Sequence, residues 1–414
     1  MRMQIFSLAF LLTISFLNIS AQPDQSLIKN NAPNVFVDCR GCDINFIKEK
    51  IQFANFVRDR KEADIHILFT SQRTGGGGRE YVLNFIGLNK FNGLNDTLKY
   101  VRQESDSDEN NRQKLVHIIK LGLINYVAKT PIADKIKIEY STDKKKSGEV
   151  NDDWNFWVYR IGLNGFFNGS KTYSQSYISG SISASRVTAD WKIFARLWSN
   201  YNESNYNYSD QTITNIARSQ RLSFSFIKSI SEHWSAGLWT SGYSSIYSNI
   251  DIAASIGPGI EYDIYPYSVS NLKQIRIAYK LDGTYNKYRE ETIYLKIKEV
   301  LIQQELSVSV ELVQPWGSIS SELRGTAFLH DFSKNSVTLD GRISLKLFRG
   351  LSLTLDGRYS AIHNQLSLRR QDANLEEVLL QRTELETQYR YFGSIGFSYS
   401  FGSIFNNIVN PRFD

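Results

Sequence analysis

The sequence predicts a mainly β fold, in which a transmembrane antiparallel β-barrel of about twelve strands follows a small α+β domain. Three observations carry this prediction. The chain begins with a segment that resembles an export signal, and beyond Trp154 apolar and polar residues alternate along most of the chain. The connections between the alternating segments are short and long in turn, which is typical of barrels that cross a membrane.

The composition of the 414-residue chain argues against other common classes. A mean hydropathy of −0.33 argues against a bundle of membrane helices, and the apolar run from Ile5 to Leu17 is too short to span a bilayer as a helix. With 2 cysteines and 13% aromatic residues, the chain is neither a disulfide-dense module nor a disordered protein. The net charge of +6 is spread along the chain and predicts no binding of nucleic acid.

Residues 1–21 show the features of a secretory signal peptide in their usual order. Arg2 supplies a positive charge, Ile5 to Leu17 form the apolar core, and Ala21 is a small residue before a cleavage point near Gln22. No cysteine stands at the cleavage point, which argues against a lipoprotein. We therefore expect the mature chain to fold in an oxidising compartment. The alternative, a short buried helix, stays open.

Residues 34–142 mix two periodicities and predict a small α+β domain. Val35–Val37 form a short apolar run that suits a strand. Ile65–Thr70 and Tyr81–Ile86 predict two strands on either side of Gly75–Gly78, a glycine run that suits a hairpin connection. Further strands are expected at Leu98–Val101 and Ile136–Tyr140.

Two helices are predicted in the same domain. Asp43 is placed to cap the first, whose apolar residues then recur at helical spacing. The acidic run Asp106–Glu109 suits the N-terminus of the second helix, because it faces the positive end of the helix dipole, and Pro131 ends that helix. The charged stretch that follows, residues 143–152, predicts a linker to the barrel over residues 153–402.

The alternation is clearest in Leu351–Ala361, where Leu351, Leu353 and Leu355 alternate with Ser352, Thr354 and Asp356. Segments of this kind begin near residues 154, 173, 190, 219, 233, 249, 271, 303, 316, 336, 350 and 386. Short connections are expected at 187–189, 229–232, 314–315 and 348–350, and longer ones at 200–219, 285–301 and 364–385. A soluble β-sandwich is the competing interpretation, but its dry interior rarely holds Asp and Arg at successive inward positions.

The same alternation assigns a set of charged residues to the inside of the barrel. The tetrapeptide Leu-Asp-Gly-Arg occurs at 339–342 and again at 355–358, on consecutive strands, so its charges are expected to pair across them. The predicted inner set is Arg276, Lys280, Asp282, Glu305, Glu311, Glu322, Arg324, Asp340, Arg342, Lys346, Asp356, Arg358 and Arg390. Two interpretations stay open: pairs that brace the wall, and a narrow charged pathway for small polar solutes.

The last strand carries Phe397, Tyr399 and Phe401 at alternate positions, which resembles the aromatic C-terminal signal of outer-membrane barrels. Residues 403–414 follow it as a tail, in departure from the usual form of that signal. We expect the outer membrane as the location, its lipid as a partner, and both the N-terminal domain and the C-terminus in the periplasm.

Cys39 and Cys42 follow a predicted strand and open a predicted helix, as in a thioredoxin-type redox motif. The rest of the domain lacks the matching βαβ pattern, so a small structural disulfide is the preferred interpretation. No histidine lies close in sequence, and no metal site or cofactor is predicted.

Histidines are the other candidates for chemistry. His330-Asp331 suits the outer rim, where a barrel protease would need it, and His233-Trp234-Ser235 has the spacing of a barrel phospholipase. The His233 segment, however, adjoins a short turn at the predicted periplasmic end, and His363 is expected in a loop. We therefore predict no catalytic residue, and a barrel hydrolase remains the alternative.

Several runs are similar to an uncharacterised family of Gram-negative outer-membrane barrels with a periplasmic N-terminal domain. They are residues 57–67, 290–294 and 314–317 and the run Gly402–Asn407. The resemblance implies location and architecture, and it supplies no activity and no catalytic residues. We therefore expect a non-enzymatic protein, either a docking protein that binds a periplasmic partner through its N-terminal domain or a narrow pore. The connections at 285–301 and 364–385 are expected to be solvated loops or a lid over the barrel mouth.

Overall fold

The structure is a computed structural model that describes residues 31–75, 77–139, 152–209, 211–348, 350–370, 375–380 and 382–403. These residues form a five-stranded sheet with helices and a twelve-stranded antiparallel sheet. The predicted signal peptide, the linker up to residue 151 and the tail beyond residue 403 lie outside the described residues. None of the described helices is long and apolar enough to cross a membrane.

The N-terminal unit is α+β, as predicted. Its elements are β1 Asn34–Asp38, α1 Ile44–Lys50, β2 Asn55–Phe56, β3 Ile65–Arg73, β4 Arg79–Gly87, β5 Asn95–Arg102 and α2 Asp108–Val127. The strand order is β2-β1-β3-β4-β5, with β1 parallel to β2 and β3 and the other neighbours antiparallel. Residues 136–139 form no strand, so the strand predicted at Ile136–Tyr140 is wrong there, because no neighbouring strand offers them hydrogen bonds.

Local sequence explains where the two helices begin. The Asp43 carboxylate accepts a hydrogen bond from the Phe46 amide at 2.9 Å, as its position predicted, and Ser107 Oγ accepts one from the Asn110 amide at 3.2 Å. Both helices then bury apolar residues against the sheet. The fully buried residues include Ile47, Ile65, Leu83, Phe85, Ile119, Leu123 and Tyr126.

The twelve-stranded sheet contains the number of strands that the alternation predicted. They are β6 Trp157–Gly169, β7 Tyr173–Val187, β8 Trp191–Tyr208, β9 Gln211–Ser229, β10 Trp234–Ser245, β11 Ile250–Asp263, β12 Lys273–Tyr288, β13 Lys298–Gln314, β14 Gly317–Phe328, β15 Asp331–Phe348, β16 Leu351–Ile362 and β17 Tyr389–Tyr399. Every strand pairs antiparallel with its neighbours in sequence. A short helix, α3 Leu375–Leu379, lies in the last connection.

The strand register sorts the side chains into two faces. One ladder row joins Ile277, Val308, Leu323, Leu339, Tyr359 and Tyr391 across six strands. The adjacent row, one residue along each strand and therefore on the opposite face, joins Arg276, Ser309, Glu322, Asp340, Arg358 and Phe392. The apolar row is largely exposed, with Leu339 at 48% and Tyr391 at 76%. One face of the sheet is therefore apolar and exposed. The other face, which we call the ionic face, carries the charged side chains.

The described pairings run from β6 to β17 and do not join these two strands to each other. Side chains on both faces of β17 are exposed, and most of those on β6 are exposed as well. The sheet thus has two edges, each with unpaired backbone groups.

One predicted connection is wrong. Residues 200–219 were expected to form a long loop, but β8 and β9 extend through most of this stretch. Asn, Ser and Tyr occupy both faces here, so the apolar-polar alternation fades while the strand pairing continues. The connection at 364–385 is long, as predicted.

Candidate functional site: the charged inner face

All thirteen residues of the predicted inner set lie on the ionic face. The register of the strands places each of them on the same side of the sheet. Arg276 of this set lies 3.6 Å from Glu261, which is outside the set, and Lys280 lies 3.6 Å from Glu305. Arg324 pairs with Glu322 and reaches Glu305 at 3.9 Å. The set is thus a network of alternating charges that runs across the strands.

The two Leu-Asp-Gly-Arg repeats meet in the middle of this network. Gly341 lies opposite Gly357, so antiparallel pairing sets Asp340 opposite Arg358 and Arg342 opposite Asp356. Both pairs form salt bridges through Nε of the arginine. The two arginine side chains are each 63% exposed, so their remaining N–H groups are accessible to solvent or to a solute.

A cavity of about 640 Å³ lies against these pairs. Its charged lining is Arg276, Glu311, Glu322, Arg324, Asp340, Arg342, Asp356 and Arg358. The carboxylates of Asp282 and Glu311 form no ion pair among the described residues. Such a lining suits small polar or charged solutes and offers little to an apolar one.

Glu261 and Glu384 complete the network and are absent from the predicted set. Glu261 pairs with Arg276, and Glu384 lies 3.7 Å from Arg390. Glu261 alternates with Ile260 and Tyr262 along β11, so the period of two could have identified it. Glu384 lies in the last connection, and its position depends on how that connection folds.

Lys346 departs from the rest of the inner set, because its partner belongs to the N-terminal unit. Its ammonium contacts the Asp38 carboxylate and lies 5.1 Å from the centre of the Phe36 ring. Asp38 also lies 3.2 Å from Nε2 of the buried His66. Burial raises the pKa of Asp38, but the bonds and charges of His66 and Lys346 outweigh this and hold the pKa below its ordinary value.

Other contacts seat the N-terminal unit on the same end of the sheet. The Gly350 amide donates to Asp59 at 2.7 Å, and Asn271 donates to Thr70 Oγ1 at 3.2 Å. Ser185 donates to the carbonyl of Gly75 at 3.3 Å. These residues belong to three hairpins between β7 and β16, so the N-terminal unit lies against one end of the twelve-stranded sheet. Gly75 of the glycine-rich hairpin lies against β7.

The last connection covers the opposite end. Arg369 holds Glu290 and Glu377 at 3.0 Å each, and its Nε donates to Thr383 at 3.0 Å. Asn249 in the β10–β11 turn donates to the carbonyls of Glu290 and Ser367, both at 3.0 Å. We call the described residues 363–370, 375–380 and 382–388 the lid, because these contacts hold them against the loops at this end of the sheet.

Among the described residues, His233 and His330 contact other groups than the catalytic partners considered for them. His233 lies 2.7 Å from the carbonyl of Asp263, whereas Ser235 contacts Glu261 and Tyr267. Asp331 accepts hydrogen bonds from Ser333, and the His330 ring lies against Phe328. Among the described residues, no group of three potential ligands could hold a metal ion. Cys39 and Cys42 form a disulfide.

No protein-family model matches the chain, and no curated protein matches it. Among solved structures, the chain is similar to the NanC porin, with a TM-score of 0.27 and 9% identity, over 58% of this chain and 99% of the porin chain. It is also similar to the β domain of the Bordetella autotransporter BrkA, with a TM-score of 0.24 and 12% identity, over 59% of this chain and 98% of that domain. Likenesses at these scores carry no weight for function.

Proposed function

We propose that this chain is an integral outer-membrane β-barrel protein and that its interior is a gated pathway for small polar solutes. One observation carries the proposal: of two adjacent ladder rows on the same six strands, the exposed row holds only aliphatic residues and tyrosines, and the row on the other face holds four charged residues. An exposed band of apolar side chains is stable in contact with lipid, whereas charged side chains on the inner face are stable only in contact with water. The predicted export signal supports the same location.

Two parts of the chain support gating. The N-terminal unit covers the end with Gly350 and the hairpin at 315–316, which we place in the periplasm. The lid covers the end with the longest connection, which we place outside the cell. With both ends covered, a solute can pass through the interior only if both covers move. The pathway is therefore gated, in contrast to a permanently open pore.

The docking alternative is less well supported. It needs a free surface on the N-terminal unit, and the glycine-rich hairpin, its best candidate, contacts Ser185 of the barrel. The hydrolase alternative needs a nucleophile beside a base, and among the described residues Ser235 does not contact His233.

Conductance of the purified full-length protein in a planar bilayer tests the proposal. We expect brief openings of small conductance, because charged side chains and two covers narrow the path. A folded protein that stays silent over a wide voltage range, both with and without the lid contacts of Arg369, would overturn the pathway.

A further inference from the structure

A second cavity, of about 390 Å³, opens on the inner face between β8 and β13. Its charged lining consists of Asp282, Glu305 and Lys280, and the other side chains of the lining are aromatic, hydroxyl or amide groups. Lys280 lies 3.6 Å from Glu305, whereas Asp282 forms no ion pair and no hydrogen bond among the described residues. The lining therefore keeps one excess negative charge, on Asp282.

A glycine makes room for the Asp282 carboxylate. The register of β11 and β12 places Gly257 opposite Asp282, next to the pair of Ile256 and Gly283. A Cβ at Gly257 would clash with Oδ1 of Asp282 and with the carbonyl of Leu281, so a side chain at this position would displace the carboxylate. The carboxylate thus leans from β12 over the backbone of β11, toward β10.

Trp239 lies on the other side of the same glycine, because β10 and β11 pair it directly with Gly257. A Cβ at Gly237 or at Gly259 would lie 2.7 Å from the indole, so these two glycines let the ring lie along the wall. The backbones that carry Trp239 and Asp282 are two strands apart, about 10 Å. A space therefore stays open between an aromatic ring and a carboxylate.

The indole already has an ammonium group beside it. Nζ of Lys280 lies 4.8 Å from the centre of the Trp239 ring, within the range of a cation–π interaction. The same ammonium group is shared with Glu305. The cavity thus holds one ammonium group of the chain itself with one ring and one carboxylate, and Asp282 offers a second carboxylate.

Two arginines on the adjoining strands of the inner face do not neutralise Asp282. Arg196 and Arg221 lie on β8 and β9, and neither lines the cavity. These strands are four and three positions away from β12, which separates the backbones by about 19 and 14 Å along the wall. Charges at such distances are largely screened in water that contains salt.

Hydroxyl groups complete the lining. Ser241 Oγ and Ser255 Oγ lie 2.7 Å apart, and Thr284 follows Ser255 in the same ladder row. Hydroxyl oxygens accept hydrogen bonds, and a primary ammonium group has three N–H donors and no acceptor. Such a group can therefore bond the carboxylate and a hydroxyl at once, while the carbon chain that carries it contacts the aromatic rings of Trp239 and Phe194.

We propose that this cavity binds the primary ammonium group of a small organic cation. The Asp282 carboxylate and the serine hydroxyls accept its N–H groups, and the Trp239 ring contacts the charge and the neighbouring methylene groups. The proposal deepens the proposed function, since it names a class of solute for the interior, and it rests on the orientation of the inner face given there.

Isothermal titration of the full-length protein in a non-ionic detergent, at neutral pH and constant ionic strength, tests the site. The probes are n-butylammonium, butan-1-ol and butyrate, which share the length of their carbon chains and differ in charge. We expect n-butylammonium to bind at least about tenfold more tightly than either of the others, because only it forms a charge-assisted hydrogen bond with Asp282. Equal affinity for butan-1-ol overturns the site.

Two variants of the lining assign the binding to the cavity. Asp282→Asn keeps the shape of the side chain and removes its charge, so we expect affinity for n-butylammonium to fall about tenfold or more. Lys280→Gln should instead raise the affinity about threefold, because the ammonium group of the chain no longer competes for the ring and the carboxylates. A merely structural role of Lys280 would produce no such gain.

Glu203→Gln is the matched control. Glu203 lies on β8, on the outer face, so the same loss of one negative charge should change the affinity less than about twofold. Near-ultraviolet circular dichroism compares the fold of the variants. Unchanged affinity in a folded Asp282→Asn protein, or weaker binding in a folded Lys280→Gln protein, overturns the site.

The two proposals fail separately. A protein that conducts ions but does not prefer n-butylammonium to butan-1-ol keeps the pathway and loses the ammonium site. A silent protein that binds n-butylammonium in an Asp282-dependent way keeps the site and loses the pathway.

Discussion

Gly122 lies in the interior of α2, where glycine is normally less favourable than alanine by about 1 kcal/mol. The structure gives the reason for this exception: a Cβ at this position would lie 2.1 Å from the Phe85 ring. Phe85 is fully buried between the sheet and the helix and cannot move away. The glycine therefore allows the close approach of α2 to β4.

We predict that Gly122→Ala destabilises the N-terminal unit by about 1–3 kcal/mol, because overpacking outweighs the gain in helix propensity. Hydrogen exchange of the α2 amides in the full-length protein measures the change in opening free energy. Leu121→Ala, on the exposed side of the same helix, is the control and should change it by less than about 0.5 kcal/mol. A stabilised Gly122→Ala variant would contradict the packing described here.

Asp38 predicts a pH dependence of docking. Its pKa is held below the ordinary value, so its contribution to docking is complete above the unfolded pKa of about 4 and is lost as the pH falls through the lower, folded value. We expect the N-terminal unit to loosen from the barrel in that acid range. Asp38→Asn should loosen it already at neutral pH, because Lys346 then loses its partner.

Spin labels on cysteines placed at Leu121 and Ile230, both exposed, report this docking as a distance distribution. The distribution should broaden in acid and in Asp38→Asn. Asp106→Asn removes an ion pair with Lys114 inside the N-terminal unit and is the matched control, with no broadening expected. A distribution that stays narrow in Asp38→Asn at neutral pH would exclude Asp38 as a docking residue.

At the scale of elements, the lid is held by polar and apolar contacts with the strand ends. Arg369 alone joins three segments, because its guanidinium contacts Glu290, Glu377 and Thr383. Leu366 also packs with Leu301 and Phe328 in a small buried cluster at the same end. These contacts act together with other polar contacts of the lid, among them those of Asn249 with Ser367 and of Asn215 with Leu380.

We predict that Arg369→Gln raises the open probability of the reconstituted protein, since the loss of charge-assisted bonds frees the lid. Single-channel recording measures this change at constant voltage. Arg370→Gln is the control, because Arg370 is more exposed and bonds Glu291 alone among the described residues. An unchanged open probability in Arg369→Gln would show that the lid does not gate the interior.

The strands also mark the limits of prediction from sequence. Strict alternation in β15 and β16 was sufficient to place Asp340, Arg342, Asp356 and Arg358 on one face. In β8 and β9, polar residues occupy both faces above the apolar belt, so the period carries no signal and a loop was predicted in error. The alternation of apolar and polar residues indicates a strand only where the two faces of that strand lie in different environments.

For the whole molecule, the twelve-stranded sheet closes into a barrel only if its two edge strands, β6 and β17, pair with each other. In lipid each unpaired backbone group costs several kcal/mol, so an open edge is unstable there. The two edges suit each other: Leu163 and Ile395 lie on the exposed apolar face, while Gly162 and Ser394 lie on the inner face.

We predict that β6 and β17 pair with each other in the membrane. In a Cys39→Ser, Cys42→Ser background, a cysteine at Leu163 is combined in turn with one at Tyr391, Ile395 or Tyr399. One of these pairs should form a disulfide on mild oxidation in native membranes. Leu163 with Gly180, already opposite each other on β6 and β7, is the positive control. Cross-linking in the control alone would contradict closure.

By itself the sequence indicated an α+β region ahead of the strands, the number of strands and, in strands with strict alternation such as β15 and β16, the face on which each residue lies, because these follow from local periodicity. Only the tertiary structure decided that Lys346 reaches Asp38, that Arg369 ties the lid to Glu290 of the β12–β13 connection, and that Arg160 and Arg196 lie in one ladder row with serines. These contacts join residues far apart in the chain, and their partners depend on the strand register and on how the connections fold back. The periodicity indicates the face of the strand on which a residue lies. It does not indicate which residues that side chain contacts.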